Sequence, residues 1–360
     1  MAATNSFLKN EPPILGQLLT LAFGFLGAMA ARWAELPGAA LSGSMMAVAL
    51  LSVPGKATSI GTPIRLLAMA LSGTSIGSAV TPETLRGAAT YPLSIFLMAV
   101  SSFAVTGTSA FMLMKVKGWN RATAFLASTP GALSSALIIA AQTDADVPRI
   151  VVVQMFRVFF LMALLPMLIA GSGVHLQGAQ VHLDDSLLIL GIMMIPGVAL
   201  GWFMDRRKIA GGMFLGIMAV SAIFHGTSVA PGRPPDWFMI ASQVLIGSWI
   251  GSRFVGFNWR SLGSMFGAAV GSMLCTLTVS ALFAALTSWL LGFPFGLTML
   301  AFAPGAFEAM TMLAFALGLD PLYAVAHHLA RLLVMTFSLP IIMRLWLKDS
   351  MVRAKTRAFR

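Results

Sequence analysis

The sequence predicts an all-α polytopic membrane protein made of two tandem inverted repeats, with about 10 crossings and two Pro-Gly-broken segments. Three observations predict it: a composition too apolar for water, a stretch of sequence that recurs at one fixed spacing, and a sorting of basic residues that favours one arrangement of the copies. Of 360 residues, 58% are hydrophobic and 10% are charged, with a mean hydropathy of +0.87. A water-soluble domain has no use for that much apolar surface. The 34 glycines and 25 methionines suit helices that pack closely and adaptably inside a bilayer. A net charge of +11 would point to nucleic acid in a soluble protein. In a membrane protein it reads as Lys and Arg in cytoplasmic loops, and the sequence carries no helix-turn-helix, zinc-finger or basic-helix pattern. Cys275 is the single cysteine, which excludes an internal disulfide and a cysteine metal cluster.

An internal repeat fixes how the elements are counted. LASTPGALSSALIIAAQTDADVPRIVVVQMFRVFFLMALLP (126–166) aligns without a gap on LAFAPGAFEAMTMLAFALGLDPLYAVAHHLARLLVMTFSLP (300–340), at an offset of 174. The alignment pairs Pro130 with Pro304, Gly131 with Gly305, Asp146 with Asp320, Arg157 with Arg331 and Pro166 with Pro340. The same offset lays GTSIGSAV (73–80) on GSWIGSRF (247–254). The chain therefore divides into a first repeat, 1–172, and a second, 173–360, with a hinge near 171–185.

Apolar runs in the first copy fall at about 14–31, 37–53, 62–81, 90–114, 120–142 and 147–170. Those of the second fall at about 185–203, 210–228, 236–254, 261–291, 296–318 and 321–346. The first run, with AMAA at 28–31, has the look of a signal peptide, but its pairing with 185–203 reads it as a retained helix. Most runs reach the roughly 20 residues that span a bilayer. The fifth run of each copy is split by Pro-Gly into pieces of about ten residues, each rising about 15 Å, half the hydrocarbon thickness.

If the fifth run crosses, there are twelve spans and parallel copies; if it is a re-entrant hairpin, there are ten crossings and inverted copies. Charge sorting decides. With hairpins and cytoplasmic termini, 18 Lys or Arg lie inside, only Arg32, Arg86 and Arg233 lie outside, and Arg157 and Arg331 lie within spans. The twelve-span scheme gives 13 inside and 8 outside, with Arg206, Arg207 and Lys208 on the wrong face. A paired break in two inverted copies is the usual sequence pointer to a transporter's binding site.

The candidate site residues gather there: Pro130, Gly131, Ser134, Ser135 and Arg157 in the first copy, and Pro304, Gly305, Glu308, His328 and Arg331 in the second. Arg157 lies ten residues past Val147, about 15 Å deep, and Arg331 repeats that position. A membrane-buried arginine marks function by default; the plainer reading is a clamp on the hairpin's backbone carbonyls. Glu308 sits three residues after Gly305, where an acid caps a helix start or binds a proton. Its counterpart is Ser134, so the repeat does not require the acid. Asp146 and Asp320 read as N-caps. His327 and His328 point about 100° apart on a helix, a poor metal pair, while His328, aligned with Gln154, reads as a cavity residue. The small residues of GTSIG and GSWIG read as close helix packing. Two half-helix N-termini, two arginines and one acid leave a positive centre suited to an anionic or zwitterionic solute.

ASTPGALSSALIIAAQTDADVPRIVVVQMFR and AFAPGAFEAMTMLAFALGLDPLYAVAHHLAR resemble the repeated Pro-Gly, Asp and Arg signature of the AbrB-type family of duplicated membrane proteins. The resemblance covers nearly the whole chain and implies a bacterial inner-membrane protein. Family members carry labels such as ammonia monooxygenase or regulator of AidB expression. Ser134 departs from the family pattern, in which an acid is common at that position. The name is shared with an unrelated soluble DNA-binding regulator, whose short β-strand fold this chain does not resemble. The Pro-Gly break in each inverted half is also similar in layout to cation/proton antiporters and bile-acid-type symporters, an analogy of architecture alone.

Three functions follow as expectations. The first is a secondary transporter working by alternating access, with proton coupling through Glu308 and no cofactor. The second is a membrane-embedded regulator that affects gene expression indirectly, with a partner protein on the basic face, for instance at RAKTRAFR (353–360). The third, an oxygenase, is disfavoured: such enzymes need clustered His and carboxylate ligands, and the five histidines, His175, His182, His225, His327 and His328, are scattered. No enzyme activity and no metal are expected. The expected partners are the lipid bilayer, a small solute, the proton and a second copy of the chain, but not nucleic acid.

Overall fold

A computed structural model describes residues 11–52, 54–130, 133–140, 143–171, 187–207, 209, 211–227, 229–230, 232–256 and 259–346. Among them every extended element is helical and none is a β-strand. In chain order these are α1 (Ile14–Trp33), α2 (Ala39–Ser52), α3 (Thr62–Gly77), α4 (Pro82–Gly87), α5 (Tyr91–Lys117), α6 (Arg121–Ser128), α7 (Leu133–Ala140), α8 (Val147–Ala170), α9 (Leu187–Arg206), α10 (Gly212–Gly226), α11 (Asp236–Ser252), α12 (Trp259–Leu291), α13 (Phe295–Phe302), α14 (Phe307–Ala316) and α15 (Pro321–Trp346). The expected hinge at 171–185 lies, apart from Gly171, outside the described residues, as does 353–360.

Among the described residues, six helices are long and apolar enough to cross a membrane: those at Ile14–Trp33, Ala88–Lys117, Val147–Ala170, Leu187–Arg206, Gly263–Leu291 and Pro321–Leu339. The chain is thus a polytopic helical protein. Four of the other apolar runs form shorter helices, α2, α3, α10 and α11, of 14 to 17 residues, and the fifth run of each copy forms two, of 8 to 10 residues. The run expected at 62–81 stops at Gly77, and the short α4 follows it.

Local chemistry sets the boundaries. Pro63, Pro92 and Pro148 stand in the first turns of α3, α5 and α8, where a missing amide hydrogen costs nothing. Gly118, at φ 65°, closes α5 in the left-handed region that a side chain would strain.

The helices gather into two compact units, and each unit draws on both halves of the sequence. The first holds α1–α4, α9–α11 and Thr311–Leu322; the second holds α5–α8, α12, α13, the start of α14, and α15 from Tyr323. Backbone contact builds the first unit. A Cβ at Gly27 of α1 would sit 2.5 Å from the Gly43 carbonyl of α2, so nothing larger fits that crossing. The two small-residue motifs pack closely too, Gly77 of α3 against the Met218 carbonyl of α10 and Gly247 of α11 against the Leu41 carbonyl of α2.

In the second unit, α5 and α12 pack along each other, and α6 and α8 join them. Leu113 of α5, Leu126 of α6, Ile150 and Phe156 of α8 and Ala269 of α12 share one buried core. Ala136 and Ala140 of α7 belong to it too, so that core holds the first broken segment in place.

Candidate functional site

Both breaks have the same backbone. α6 ends at Ser128, and Thr129 adopts φ −65°, ψ 123°; α13 ends at Phe302, and Ala303 adopts φ −65°, ψ 125°. Thr129 precedes Pro130, and Ala303 precedes Pro304. A proline ring pushes the residue before it out of the helical region, which is why both helices stop there. Helix resumes at Leu133 and at Phe307.

The first broken segment returns to where it began. Asn120, the N-cap of α6, accepts from the Thr123 amide at 2.7 Å. Its Nδ2 donates to the Asp144 carbonyl at 2.8 Å, and the Asp146 amide donates to the Thr123 hydroxyl at 2.8 Å. Residues 120 and 144–146 therefore lie side by side. At the second segment Phe293 and Tyr323 pack with ring centroids 5.0 Å apart, which brings its ends together as well.

Each break is gripped by an arginine from the helix that follows. Arg157 of α8 donates from Nη1 to the Ser128 carbonyl and from Nη2 to the Thr129 carbonyl, both at 3.2 Å. Arg331 of α15 donates from Nη1 to the Ala303 carbonyl at 2.9 Å and from Nη2 to the Ala301 carbonyl. Each arginine is 2% exposed and makes no ion pair among the described residues. The carbonyls it meets end a short helix, where about half a negative charge collects. Each arginine is thus a C-terminal cap at a helix break. Both Nε–H groups remain buried without a hydrogen bond, and the two arginines lie within electrostatic reach of each other.

The residue three positions before each arginine is polar and buried. Gln154 donates from Nε2 to the Leu126 carbonyl at 2.8 Å. His328, its counterpart, lies with Nδ1 3.2 Å from Arg331 Nη1 and is within electrostatic reach of the Leu300 backbone. His328, expected as a cavity residue, is 3% exposed, and its Nε2 is buried without a hydrogen bond.

Of the other expected residues, Pro130, Pro304 and Gly305 are buried at the breaks. Glu308 stands in the first turn of α14, partly exposed. Gly131 lies outside the described residues, and Ser134 and Ser135 are described only as backbone of α7. Asp146 and Asp320 are caps: Asp146 accepts from the Arg149 amide at 3.1 Å, and Asp320 from the Leu322 amide at 2.9 Å. Among the described residues no cluster of metal-ligating side chains is found.

Two buried polar groups were not legible in the sequence. Ser128 donates to Ser109 Oγ at 3.0 Å, and Ser109 Oγ lies 2.7 Å from Ser272 Oγ, joining α5, α6 and α12 through hydroxyls. His327 meets Ser94 of α5 at 2.8 Å. The chain has two tyrosines, and both pack against His327.

The fold and the site define a class, a helical membrane protein with two broken helices, each closed at its break by a buried arginine. The chain belongs to the AbrB family, whose description, transition state regulatory protein AbrB, matches residues 54–347. It is similar to "Uncharacterized protein YhjN" of Bacillus subtilis (strain 168), 22% identical over 300 residues that cover 78% of this chain and 77% of that protein. It is also similar to "Putative regulator AbrB" of Escherichia coli (strain K12), 30% identical over 165 residues, covering 44% of this chain and 46% of the relative.

Proposed function

We propose that this protein is a secondary transporter-like protein of the bacterial inner membrane, not an enzyme, which moves a small anionic or zwitterionic solute by alternating access. The observation that carries the reading is the pair of breaks, each with its ends brought together and its carbonyls held by an arginine ten residues into the next helix. Irregular backbone at membrane depth is kept only where protein or a water-filled cavity surrounds it, and a paired break in two repeats is the usual pointer to a transporter's site. Each arginine contributes a full positive charge, against about half a negative charge at the helix end it caps. The N-termini of α7 and α14 add positive potential, and Glu308 supplies one acid. The balance stays positive, which favours an anion.

The finer topology of this reading is two inverted repeats, ten crossings, two hairpins and cytoplasmic termini. Equivalent helices support it: α3 and α11, α6 and α13, and α8 and α15 each begin 174 residues apart, at 62 and 236, 121 and 295, and 147 and 321. Small-residue packing supports it too, since α3 lies on α10 while α11 lies on α2. Arg149, Arg206, Arg207 and Arg253, all assigned to the cytoplasmic face, lie over Trp119, Trp202, Phe203 and Trp249, an interfacial pairing.

Uptake and efflux profiling of a deletion strain against a broad metabolite panel, followed by flux into proteoliposomes, tests the reading. A panel with no difference in either direction would sink it. The family description and the name of the Escherichia coli relative favour a second reading, a membrane-embedded regulator. A transcript change that survives replacement of both arginines would support the regulator over the transporter.

A further inference from the structure

His327 is fully buried in α15, one turn before Arg331. Its Nδ1 lies 2.7 Å from the Tyr323 carbonyl, which can only accept, so Nδ1 carries a hydrogen. Its Nε2 lies 2.8 Å from Ser94 Oγ, and Ser94 Oγ lies 2.9 Å from the Tyr91 carbonyl. This geometry serves two protonation states. In the neutral ring Nε2 accepts from the Ser94 hydroxyl. In the imidazolium Nε2–H donates to Ser94 Oγ, and the serine hydrogen turns to the Tyr91 carbonyl. Both states are hydrogen-bonded with every heavy atom where it is, separated by one hydroxyl rotation.

The surroundings suit a ring that changes charge. Tyr323 stacks on His327 at 3.9 Å between centroids, and Tyr91 and Phe302 lie at 6.1 and 6.2 Å. Aromatic faces attract a cation. The titratable and charged groups around it are Tyr323, His328 and Arg331 on α15 and Tyr91 on α5; Phe302 of α13 and Phe293 bring none. His328 is built differently. Its Nδ1 faces a guanidinium, which only donates, so Nδ1 accepts and the hydrogen sits on Nε2. A second proton on His328 would set two donors face to face.

We propose that His327 is a proton-binding site, with Ser94 as its reversible hydrogen-bond partner, and that its proton travels with an anion held near Arg331. The coupling to an anion rests on the transport reading; the proton site does not. Proton binding consumes the Nε2 lone pair and breaks no bond. An imidazolium one turn from Arg331 adds positive charge to a buried region that already holds two guanidiniums, and an anion offsets that cost. By linkage, proton and anion then each favour the binding of the other. His327 stands about 9 Å from the start of α15 and Arg331 about 15 Å, so a proton and an anion entering from that end meet in this order.

The test uses the full-length chain in lipid nanodiscs with 15N-labelled histidine, the His327 signals being assigned by their absence in His327→Gln. At pH 8.5 His327 is expected as the Nδ1–H tautomer and His328 as the Nε2–H tautomer. As the pH is lowered from 8.5 to 3.5 the unprotonated Nε2 signal of His327 is expected to be lost, with that of His328 Nδ1 retained. Ser94→Ala removes the acceptor for Nε2–H and is expected to move that loss to lower pH. An unprotonated His327 Nε2 that persists at pH 3.5, or a titration indifferent to Ser94→Ala, overturns the proposal. No solute enters this measurement. An empty metabolite panel would therefore remove the transport reading alone, and a His327 that stays neutral would remove the proton site alone.

Discussion

Arg331 donates to the carbonyl of Ala303, the residue whose extended backbone ends α13 before Pro304. The contact spans 28 positions, and Arg157 meets the Thr129 carbonyl across the same interval. The half-helix and the following span thus form one device, made twice.

Arg331→Leu removes two donors to carbonyls that have no water to turn to. Hydrogen bonds from a charged group contribute about 1.5–3 kcal/mol each, so a clear fall in thermal midpoint is expected. Arg331→Lys keeps the charge but loses the planar fork and should fall between Leu and wild type. Fluorescence-detected size exclusion after heating measures the order. A Leu variant as stable as wild type removes the capping role. Full transport by that variant removes Arg331 from the solute site, and charge reversal at either arginine should abolish transport while the protein still inserts.

The meeting of Asn120 with Asp144 carries the topology prediction. In a background lacking Cys275, cysteines placed in 115–119 and in 143–147 should label from the same, cytoplasmic, face. Labelling of the two loops from opposite faces would exclude the hairpin.

A third prediction concerns packing. A Cβ at Gly247 would lie 2.4 Å from the Leu41 carbonyl, a backbone atom that cannot step aside. Gly247→Val should therefore cost about 1–3 kcal/mol by overpacking. Gly263, where the same construction meets nothing within 4 Å, is the control. Equal loss of thermal midpoint at both positions would show that the α2–α11 crossing is not what limits stability.

The sequence made the breaks and the two arginines legible because proline, glycine and a charge in oil are local signals with one physical meaning each. The 174-residue offset then placed helix starts, and Thr62 and Asp236 open α3 and α11 at that spacing. What could not be read is contact between helices. Ser94 and His327 are 233 positions apart, and a serine in an apolar run carries no mark of its partner. The division into two units was hidden for the same reason: α3 packs on α10 through glycines that spacing identifies as contact residues without naming the helix they touch. His328 drew attention as the polar neighbour of an arginine, yet it takes the place of Gln154, while His327, considered only as a metal ligand, holds the richer network.

The last prediction concerns Glu308, the acid of the second copy. It stands in the first turn of α14, where a carboxylate facing the free amides contributes about 0.3–1 kcal/mol whether or not it ever takes up a proton. Position alone therefore leaves two roles, a permanent cap and a proton site, and Glu308→Gln separates them. The amide keeps the size and still accepts a hydrogen bond, but it cannot exchange a proton. If Glu308 carries the coupled proton, Glu308→Gln in proteoliposomes should lose the pH dependence of transport while keeping a thermal midpoint close to wild type. If Glu308 is a cap, the Gln variant should transport with the wild-type pH profile, and His327→Gln should be the substitution that flattens it. Measuring both variants over pH 3.5–8.5 assigns the proton to one residue. A wild-type pH profile in both would deny either residue the coupling role.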